Sequence, residues 1–175
     1  MFYYLIIIVL LSLLLISNLP FKTPFDSKDS IWELISNNIF LTFDDGPNRK
    51  ITPFILDQLK KYNFKATFFL IPEYVTADNE FLVKRLVQEG HTIGLHGKSR
   101  WLSFKSHQYL NMYIKTFNER LSILLNKEFK VKYFRPPSLW RSLWLRKTLE
   151  DQGVNLVGVS PFCWLDQYTT DSNLI

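Results

Sequence analysis

The stretch "IFLTFDDGPN", residues 39–48, joins an apolar run to two adjacent carboxylates and then to a Gly-Pro pair. The run "IFLTF" is rich in β-branched and aromatic residues, and it predicts a β-strand over residues 39–43. Asp, Gly and Pro are favoured turn residues. Asp44 and Asp45 therefore allow two interpretations, a solvated turn or a catalytic pair at the end of a strand.

Apolar strand candidates alternate with amphipathic helix candidates along the rest of the chain. Strands separated by helices of this length imply right-handed crossovers and a parallel sheet, so we predict an α/β domain. Thr52 and Asp78 are the predicted N-caps of the first two helices. The remaining predicted strands are residues 66–71, 91–96, 131–135 and 154–159, and the predicted helices are residues 52–62, 79–89, 106–126 and 142–152.

Polar side chains follow several of these strands at the point where each strand ends. In parallel α/β folds the functional site lies at the carboxyl ends of the strands. Asp44 and Asp45 end the first strand, and residues 160–164 follow the fifth. His96 ends the third strand and Arg135 ends the fourth. Because these side chains come to the same rim, they favour a functional site over a solvated turn.

The composition excludes some classes of function. Lys and Arg number 21 against 16 for Asp and Glu, and the excess of +5 is spread along the chain without a run of five like charges. This excess is too weak to predict nucleic-acid binding. Cys163 is the only cysteine, so neither an intramolecular disulfide nor a multi-cysteine metal site is expected. The hydrophobic content of 47% predicts a folded domain.

The first residues of the chain differ from all that follow. No charged side chain precedes Lys22, and about 20 helical residues span the roughly 30 Å hydrocarbon core of a bilayer. The segment lacks the basic start and the Ala-x-Ala pattern of a cleaved secretory signal. We therefore expect a single-pass transmembrane anchor, or an uncleaved signal, over residues 1–21 and a linker over residues 22–37. Lys22 and Lys28 weakly favour a cytoplasmic domain, but acidic residues lie among them, and we expect the domain outside the cytoplasm.

The motifs "TFDDGPN", "GHTIGLH" and "FRPP" together resemble the polysaccharide deacetylase family, or NodB homology domain. The resemblance covers about residues 38–170. It implies a distorted (β/α) barrel that hydrolyses N- or O-acetyl groups of a polysaccharide or cell-envelope glycan with a divalent metal, zinc or similar. It also implies that Asp44 is the general base, that Asp45 and His96 are metal ligands, and that Arg135 orients the base. The chemistry agrees, because a metal polarises the acetyl carbonyl while a carboxylate takes a proton from water.

The chain departs from the family pattern at several positions. The family's second motif has a second histidine four residues after the first, but "HGKSR" has Arg100 there and Gly97 in place of a hydroxyl residue. Arginine offers no lone pair to a cation. Arg100 is therefore either a guanidinium that replaces the metal beside the aspartates or an ordinary surface residue. Pro136, Ser138 and Trp164 are the substrate-binding positions that the resemblance implies, with the Ser138 amide as an oxyanion donor.

Residues 38–175 are the deacetylase-like domain in this interpretation. They end before the Leu-x-His motif and the last strands of the family's barrel, so we expect an incomplete barrel. Two functions stay open: a membrane-anchored glycan deacetylase, and a non-catalytic, membrane-tethered relative that binds glycan. Several tryptophans either stack on sugar rings or pack in the core, namely Trp101, Trp140, Trp144 and Trp164.

Overall fold

The structure, a computed structural model, describes residues 6–12, 30–31 and 39–159. The strands are β1 (Leu41–Gly46), β2 (Ala66–Leu70), β3 (Thr92–His96), β4 (Tyr133–Arg135) and β5 (Asn155–Leu156). The helices between them are α1 (Ile51–Lys61), α2 (Glu80–Gln88), α3 (His107–Leu125) and α4 (Leu143–Asp151). Short 3-10 helices lie at Pro72–Tyr74, Ala77–Asn79, Arg100–Phe104 and Pro137–Leu139.

The five strands form one sheet in the order β1-β2-β3-β4-β5, and every pair of neighbours is parallel. An α-helix joins each strand to the next, as a parallel sheet requires. The predicted α/β class and parallel sheet are therefore confirmed. Ile31 adds a parallel bridge to Val157 beside β5, and its amide donates to the Leu156 carbonyl at 2.7 Å.

The hydrophobic core lies between the sheet and the helices. Phe68 and Leu70 of β2 and Leu95 of β3 are almost completely buried. On α3 the buried side chains recur every three or four residues, which is the spacing of one helix face. Each fully buried side chain of this size stabilises the fold by about 1.5–3 kcal/mol. The buried residues of α3 are Leu110, Ile114, Phe117 and Leu121.

Two of the predicted helix caps are wrong. The Asn48 side chain accepts hydrogen bonds from the first amides at the start of α1, at 2.9 and 3.0 Å. Thr52 lies inside the first turn, where its hydroxyl accepts the Asn48 amide at 2.9 Å. Asp78 lies within the 3-10 helix Ala77–Asn79 rather than at the start of α2. At α1 a neighbouring asparagine therefore competes better for the free amides, since Asn is a strong capping residue. At α2 the N-cap is Asn79, whose side-chain oxygen accepts the Thr76 amide at 2.9 Å.

Little of the predicted anchor falls within the described residues. Residues 6–12 are helical, whereas residues 1–5 and 13–21 lie outside the part of the chain that the structure describes. Most of the predicted linker, residues 22–37, also lies outside it. None of the described helices is long and apolar enough to cross a membrane.

Candidate active site

A β-bulge at the end of β1 places both aspartates at the rim of the sheet. The register of β1 against β2 shifts between Phe43 and Gly46, where β1 advances one residue more than its neighbour. Neighbouring residues of a regular strand point to opposite faces, whereas a bulge redirects them. Asp45 takes a φ of 60°, a left-handed value that Asp tolerates better than most residues. The bulge therefore allows Asp44 and Asp45 to reach partners at the same rim.

Arg135 holds Asp44 in place. Its Nη1 donates to Asp44 Oδ1 at 2.9 Å and to Thr42 Oγ1 at 2.8 Å, and its Nη2 donates to the Gly158 carbonyl at 3.0 Å. The Arg135 residue is only 5% exposed, and its guanidinium carbon lies 4.3 Å from the centre of the Phe69 ring. A buried cation requires partners of this kind. The pair therefore orients the Asp44 carboxylate.

Phe69 reaches Arg135 because a glycine lies beside it on β3. Gly94 is the register partner of Phe69, and a Cβ at Gly94 would lie 2.4 Å from the Phe69 ring. Sequence reasoning missed Thr42, Phe69 and Gly94 as residues that support the site. Thr42 carried a usable signal, because it lies two residues before Asp44 and so on the same strand face. The contact between Phe69 and Gly94 depends on the register between strands.

His96 turns its ring nitrogen Nε2 towards Asp45. Its Nδ1 lies 2.6 Å from the carbonyl oxygen of Arg135, its register partner on β4. A carbonyl oxygen only accepts, so Nδ1 carries a proton, and the lone pair with which a neutral ring would bind a metal is on Nε2. Nε2 lies 3.5 Å from Asp45 Oδ1. Metal-ligating histidines are commonly fixed in this manner, with one nitrogen bound to a backbone carbonyl.

Asp45 and His96 do not complete a metal site by themselves. Catalytic zinc sites commonly use three protein ligands. Across the described ranges, no group of three or more His, Cys, Asp or Glu side chains is placed to hold a metal ion. The donor set of the described residues therefore fits two ligand positions and does not fit a full metal centre.

Arg100, at the position of the third ligand, points elsewhere. Arg100 is exposed, and its guanidinium carbon lies 5.5 Å from the centre of the Trp140 ring. Within the described part of the chain, Asp44 forms its ion pair with Arg135 and Asp45 faces His96. This geometry disagrees with the predicted guanidinium between the aspartates. It agrees with the alternative, an exposed residue on the loop after β3.

The predicted substrate-binding residues lie after β4 as far as the structure describes them. Pro136 directly follows the strand, and Ser138 is exposed within the 3-10 helix Pro137–Leu139. Ser138 and Leu139 have φ values of 52° and 58°. Left-handed values in such residues cost on the order of 1–3 kcal/mol and are found most often at functional sites. Trp164 lies outside the described residues.

The two other histidines hold structural positions. His91 is buried, and its Nδ1 accepts the Ala66 amide at 3.3 Å. His107 Nδ1 lies 2.8 Å from Thr148 Oγ1, and its Nε2 lies 2.9 Å from Asn111 Nδ2. Neither histidine belongs to a group of three donors in the described residues, so neither supplies the missing ligand.

The family assignment agrees with this geometry. The family model for polysaccharide deacetylase matches residues 34–157. The chain therefore belongs to the polysaccharide deacetylase family, as its motifs predict.

Curated relatives resemble the chain over part of their length. The peptidoglycan-N-acetylglucosamine deacetylase of Bacillus cereus (strain ATCC 14579) is 44% identical over 101 residues, which cover 57% of this chain and 35% of that protein. A second deacetylase of the same strain is matched over 48% of its length. The chain thus spans less than half the length of these relatives.

Solved structures share the fold. A family 4 acetyl xylan esterase from Clostridium thermocellum, in complex with a cobalt ion, has a TM-score of 0.61 and 33% identity, and the match covers 68% of this chain and 56% of that one. A mutant of BA3943 from Bacillus anthracis, a CE4 family pseudoenzyme with restored enzymatic activity, has a TM-score of 0.59 and 26% identity, with coverages of 74% and 44%. The similar structures thus include both an esterase and a pseudoenzyme.

Proposed function

We propose that the chain is a glycan deacetylase-type hydrolase that removes acetyl groups from a cell-envelope polysaccharide. The observation that carries this proposal is the Asp44 carboxylate, held by the buried Arg135 guanidinium beside His96 and Asp45. Relatives that act on peptidoglycan N-acetylglucosamine and on chitooligosaccharides support an N-acetylated amino sugar as the substrate, with an O-acetyl group as the other possibility.

Asp44 is the general base in this proposal. Its side chain is 33% exposed, so water reaches it, while Arg135 fixes its orientation. Asp44 takes a proton from a water molecule as the water oxygen attacks the acetyl carbonyl carbon. The bond between carbon and nitrogen then breaks, the nitrogen takes up the proton that Asp44 received, and a free amine and acetic acid, which ionises to acetate, are released. The Ser138 amide is the proposed donor to the oxyanion that forms at the carbonyl oxygen.

The proposal includes a divalent cation at the rim. A divalent cation, zinc or similar, would polarise the acetyl carbonyl. Asp45 and His96 are the two donors that face each other at the rim, and the cobalt ion in the similar esterase supports a cation in the family. The reaction steps above are assigned to the side chains and the backbone of this chain alone.

Release of acetate from a soluble N-acetylglucosamine oligomer tests the proposal, with Co²⁺ supplied. We expect release by the wild type and a loss of at least about 100-fold in Asp44→Asn, the usual contribution of a general base. Asp78→Asn is the matched control, because the Asp78 side chain is 76% exposed and its ion pair with Arg49 is long, at 3.8 Å. Absence of acetate from the wild type would contradict the hydrolase, and full activity of Asp44→Asn would contradict the assigned base.

The alternative function is a non-catalytic relative that binds glycan. Arg100 favours it, because a guanidinium cannot act as the third ligand and the described residues offer no other. The same experiment separates the two functions. The alternative predicts a wild type that binds the oligomer and releases no acetate at any Co²⁺ concentration.

Three finer features belong to the same proposal. We propose that the parallel sheet is part of a distorted (β/α) barrel, as the family resemblance implies. The absence of charge before Lys22 supports a single-pass membrane anchor in residues 1–21. We also propose that the domain lies outside the cytoplasm, where envelope glycans are found. We expect the protein to stay in membranes through an alkaline carbonate wash, and its release would contradict the anchor. We also expect protease added to intact cells to digest the domain, and protection of the domain would contradict the orientation.

A further inference from the structure

An aromatic cluster stands on the loops that follow β3 and β4. The rings of Trp101, Phe104 and Trp140 contact one another with centroid distances of 5.7–6.1 Å. Trp101 is nevertheless 62% exposed and Phe104 is 39% exposed. A large indole that is held in place but left in water forgoes the free energy of burial. Such a side chain is a candidate for contact with a ligand.

Hydrogen bonds fasten these two loops to each other. The Ser103 hydroxyl donates to the Trp140 carbonyl, and the Ser142 hydroxyl donates to the Ser103 carbonyl. Ser103 and Ser142 are both buried. The Ser99 hydroxyl accepts the Trp101 amide at 3.3 Å, at the start of the 3-10 helix. Trp101 therefore stands on a well-supported backbone, which lowers the entropy cost of binding through it.

The aromatic cluster adjoins the candidate active site. Gly97 directly follows His96, and a Cβ on Gly97 would lie 2.5 Å from Leu102 Cδ2 and 3.1 Å from Pro137 Cγ. Leu102 is the neighbour of Trp101, and Pro137 follows β4. Close packing against Gly97 thus joins the loops of the cluster to the backbone that carries His96.

We infer that Trp101 is a stacking platform for a sugar ring of the glycan chain, next to the ring whose acetyl group reaches Asp44. A pyranose has a face of C–H groups and a rim of hydroxyls, which match a flat apolar indole with a polar N–H edge. The Arg100 guanidinium beside Trp140 offers hydrogen-bond donors for those hydroxyls. The inference rests on the proposed function for the choice of an N-acetylated amino-sugar chain. It assigns Arg100 to substrate binding rather than to the cation position.

Trp144 offers an internal comparison. It is 63% exposed, as Trp101 is, and it lies in the first turn of α4. Within the described residues, the Trp101 ring contacts the rings of Phe104 and Trp140, whereas Trp144 has no such ring contact. The two residues therefore match in type and exposure but differ in ring contacts, and Trp144→Ala is the matched control.

Calorimetric titration of the full chain with a soluble N-acetylglucosamine oligomer, without added metal, tests the platform. We expect Trp101→Ala to weaken binding about tenfold, equivalent to ~1.4 kcal/mol, and Trp144→Ala to change it by less than about twofold. Trp101→Tyr should keep most of the affinity, because tyrosine keeps a flat ring. If Trp101→Ala loses its cooperative melt, Trp101→Gln takes its place.

Three results would overturn the platform: no binding by the wild type, equal binding by Trp101→Ala, or an equal loss in Trp144→Ala. The last result would indicate unspecific contact with exposed indoles. Acetate release is measured separately. A wild type that binds through Trp101 and releases no acetate would overturn the hydrolase and leave the platform intact.

Discussion

The rim has a base half, around Asp44 and Arg135, and a ligand half, around Asp45 and His96, and more contacts hold the side chains of the base half. In the half around the proposed base, the buried Arg135 contacts Asp44, Thr42 and the Gly158 carbonyl at 2.8–3.0 Å. In the half around the proposed ligands, His96 and Asp45 face each other at 3.5 Å, and the Asp45 side chain is 75% exposed. Side chains of β1 and β4 form most of the first half, whereas the second half also needs the loop after β3. The bulged end of β1 and its contact with β4 thus maintain the geometry of the base where the loop departs from the family pattern.

Alanine at each of the two adjacent aspartates should separate the halves most strongly. Asp44→Ala leaves the buried Arg135 without its carboxylate, and we expect a loss of about 2–3 kcal/mol, below the usual range for a buried pair because Asp44 is partly exposed. Asp45→Ala should cost only about 1 kcal/mol, which is the strain of alanine at the left-handed φ of Asp45, because the exposed side chain otherwise contributes little. Urea unfolding of both variants measures the difference. Equal losses would contradict the unequal construction of the two halves.

Gly97→Ser restores a hydroxyl residue of the family pattern in the loop after β3. It should lower the free energy of unfolding by about 1–3 kcal/mol. The reason is that its Cβ would lie 2.5 Å from Leu102 Cδ2. Leu102→Ala removes that atom, so the double variant should lose less than the sum of the single variants. Additive losses in thermal or urea unfolding would show that the predicted clash does not exist.

Arg100→His should tighten Co²⁺ binding about tenfold, equivalent to ~1.4 kcal/mol, because it supplies a ring nitrogen at the family's third ligand position. Titration followed by the visible absorption of Co²⁺ measures the change. Arg49→His is the matched control, since the Arg49 side chain is 65% exposed and pairs with Asp78 instead of a rim residue. If the wild type already binds Co²⁺ as tightly as Arg100→His does, the claim that the ligand half lacks a third ligand would be contradicted.

Two histidines at opposite ends of β3 provide the test with the smallest expected effect. Nδ1 of His96 donates a hydrogen bond, whereas Nδ1 of the buried His91 accepts one. Burial, followed by the charge of Lys65, lowers the pKa of His91 below its ordinary value of 6.5. The folded state therefore binds fewer protons, so this contribution to stability is present above pH ~6.5 and is lost as pH falls below that value.

We expect the urea midpoint of the wild type to fall between pH ~7 and ~5, and to fall less in His91→Asn, whose side-chain oxygen has the place of Nδ1 as an acceptor for the Ala66 amide and does not titrate. An equal fall in both proteins would show that His91 does not carry this pH dependence.

The sequence could predict the fold class and the position of the site, because both depend on the order of the strands and on where each strand ends. Alternating strands and helices predict the parallel sheet, and the ends of its strands predict that Asp44, His96 and Arg135 meet at one rim. The bulge and the contact of Phe69 with Gly94 depend on register between strands, which no single segment encodes. The direction of the Arg100 side chain depends on the packing of two loops, so the motif position alone could not predict it.

Competition between neighbouring groups explains the error at the start of α1. Thr52 has the chemistry of a cap, but Asn48 also lies close enough to accept the free amides. Sequence shows that both side chains are able to cap, and only the path of the chain after Pro47 decides between them.

Acetate release by Arg100→His and by the double variant Arg100→His, Asp44→Asn tests the central claim most directly. The base half is complete in this account, so a third ligand should raise the rate at saturating oligomer, where the lost sugar contacts of Arg100 do not limit it. We predict that Arg100→His with Co²⁺ releases acetate from the N-acetylglucosamine oligomer at least about tenfold faster than the wild type, and that the double variant loses at least about 100-fold of that rate. An Arg100→His protein that binds Co²⁺ tightly but is no faster than the wild type, or a double variant as active as Arg100→His, would contradict the account.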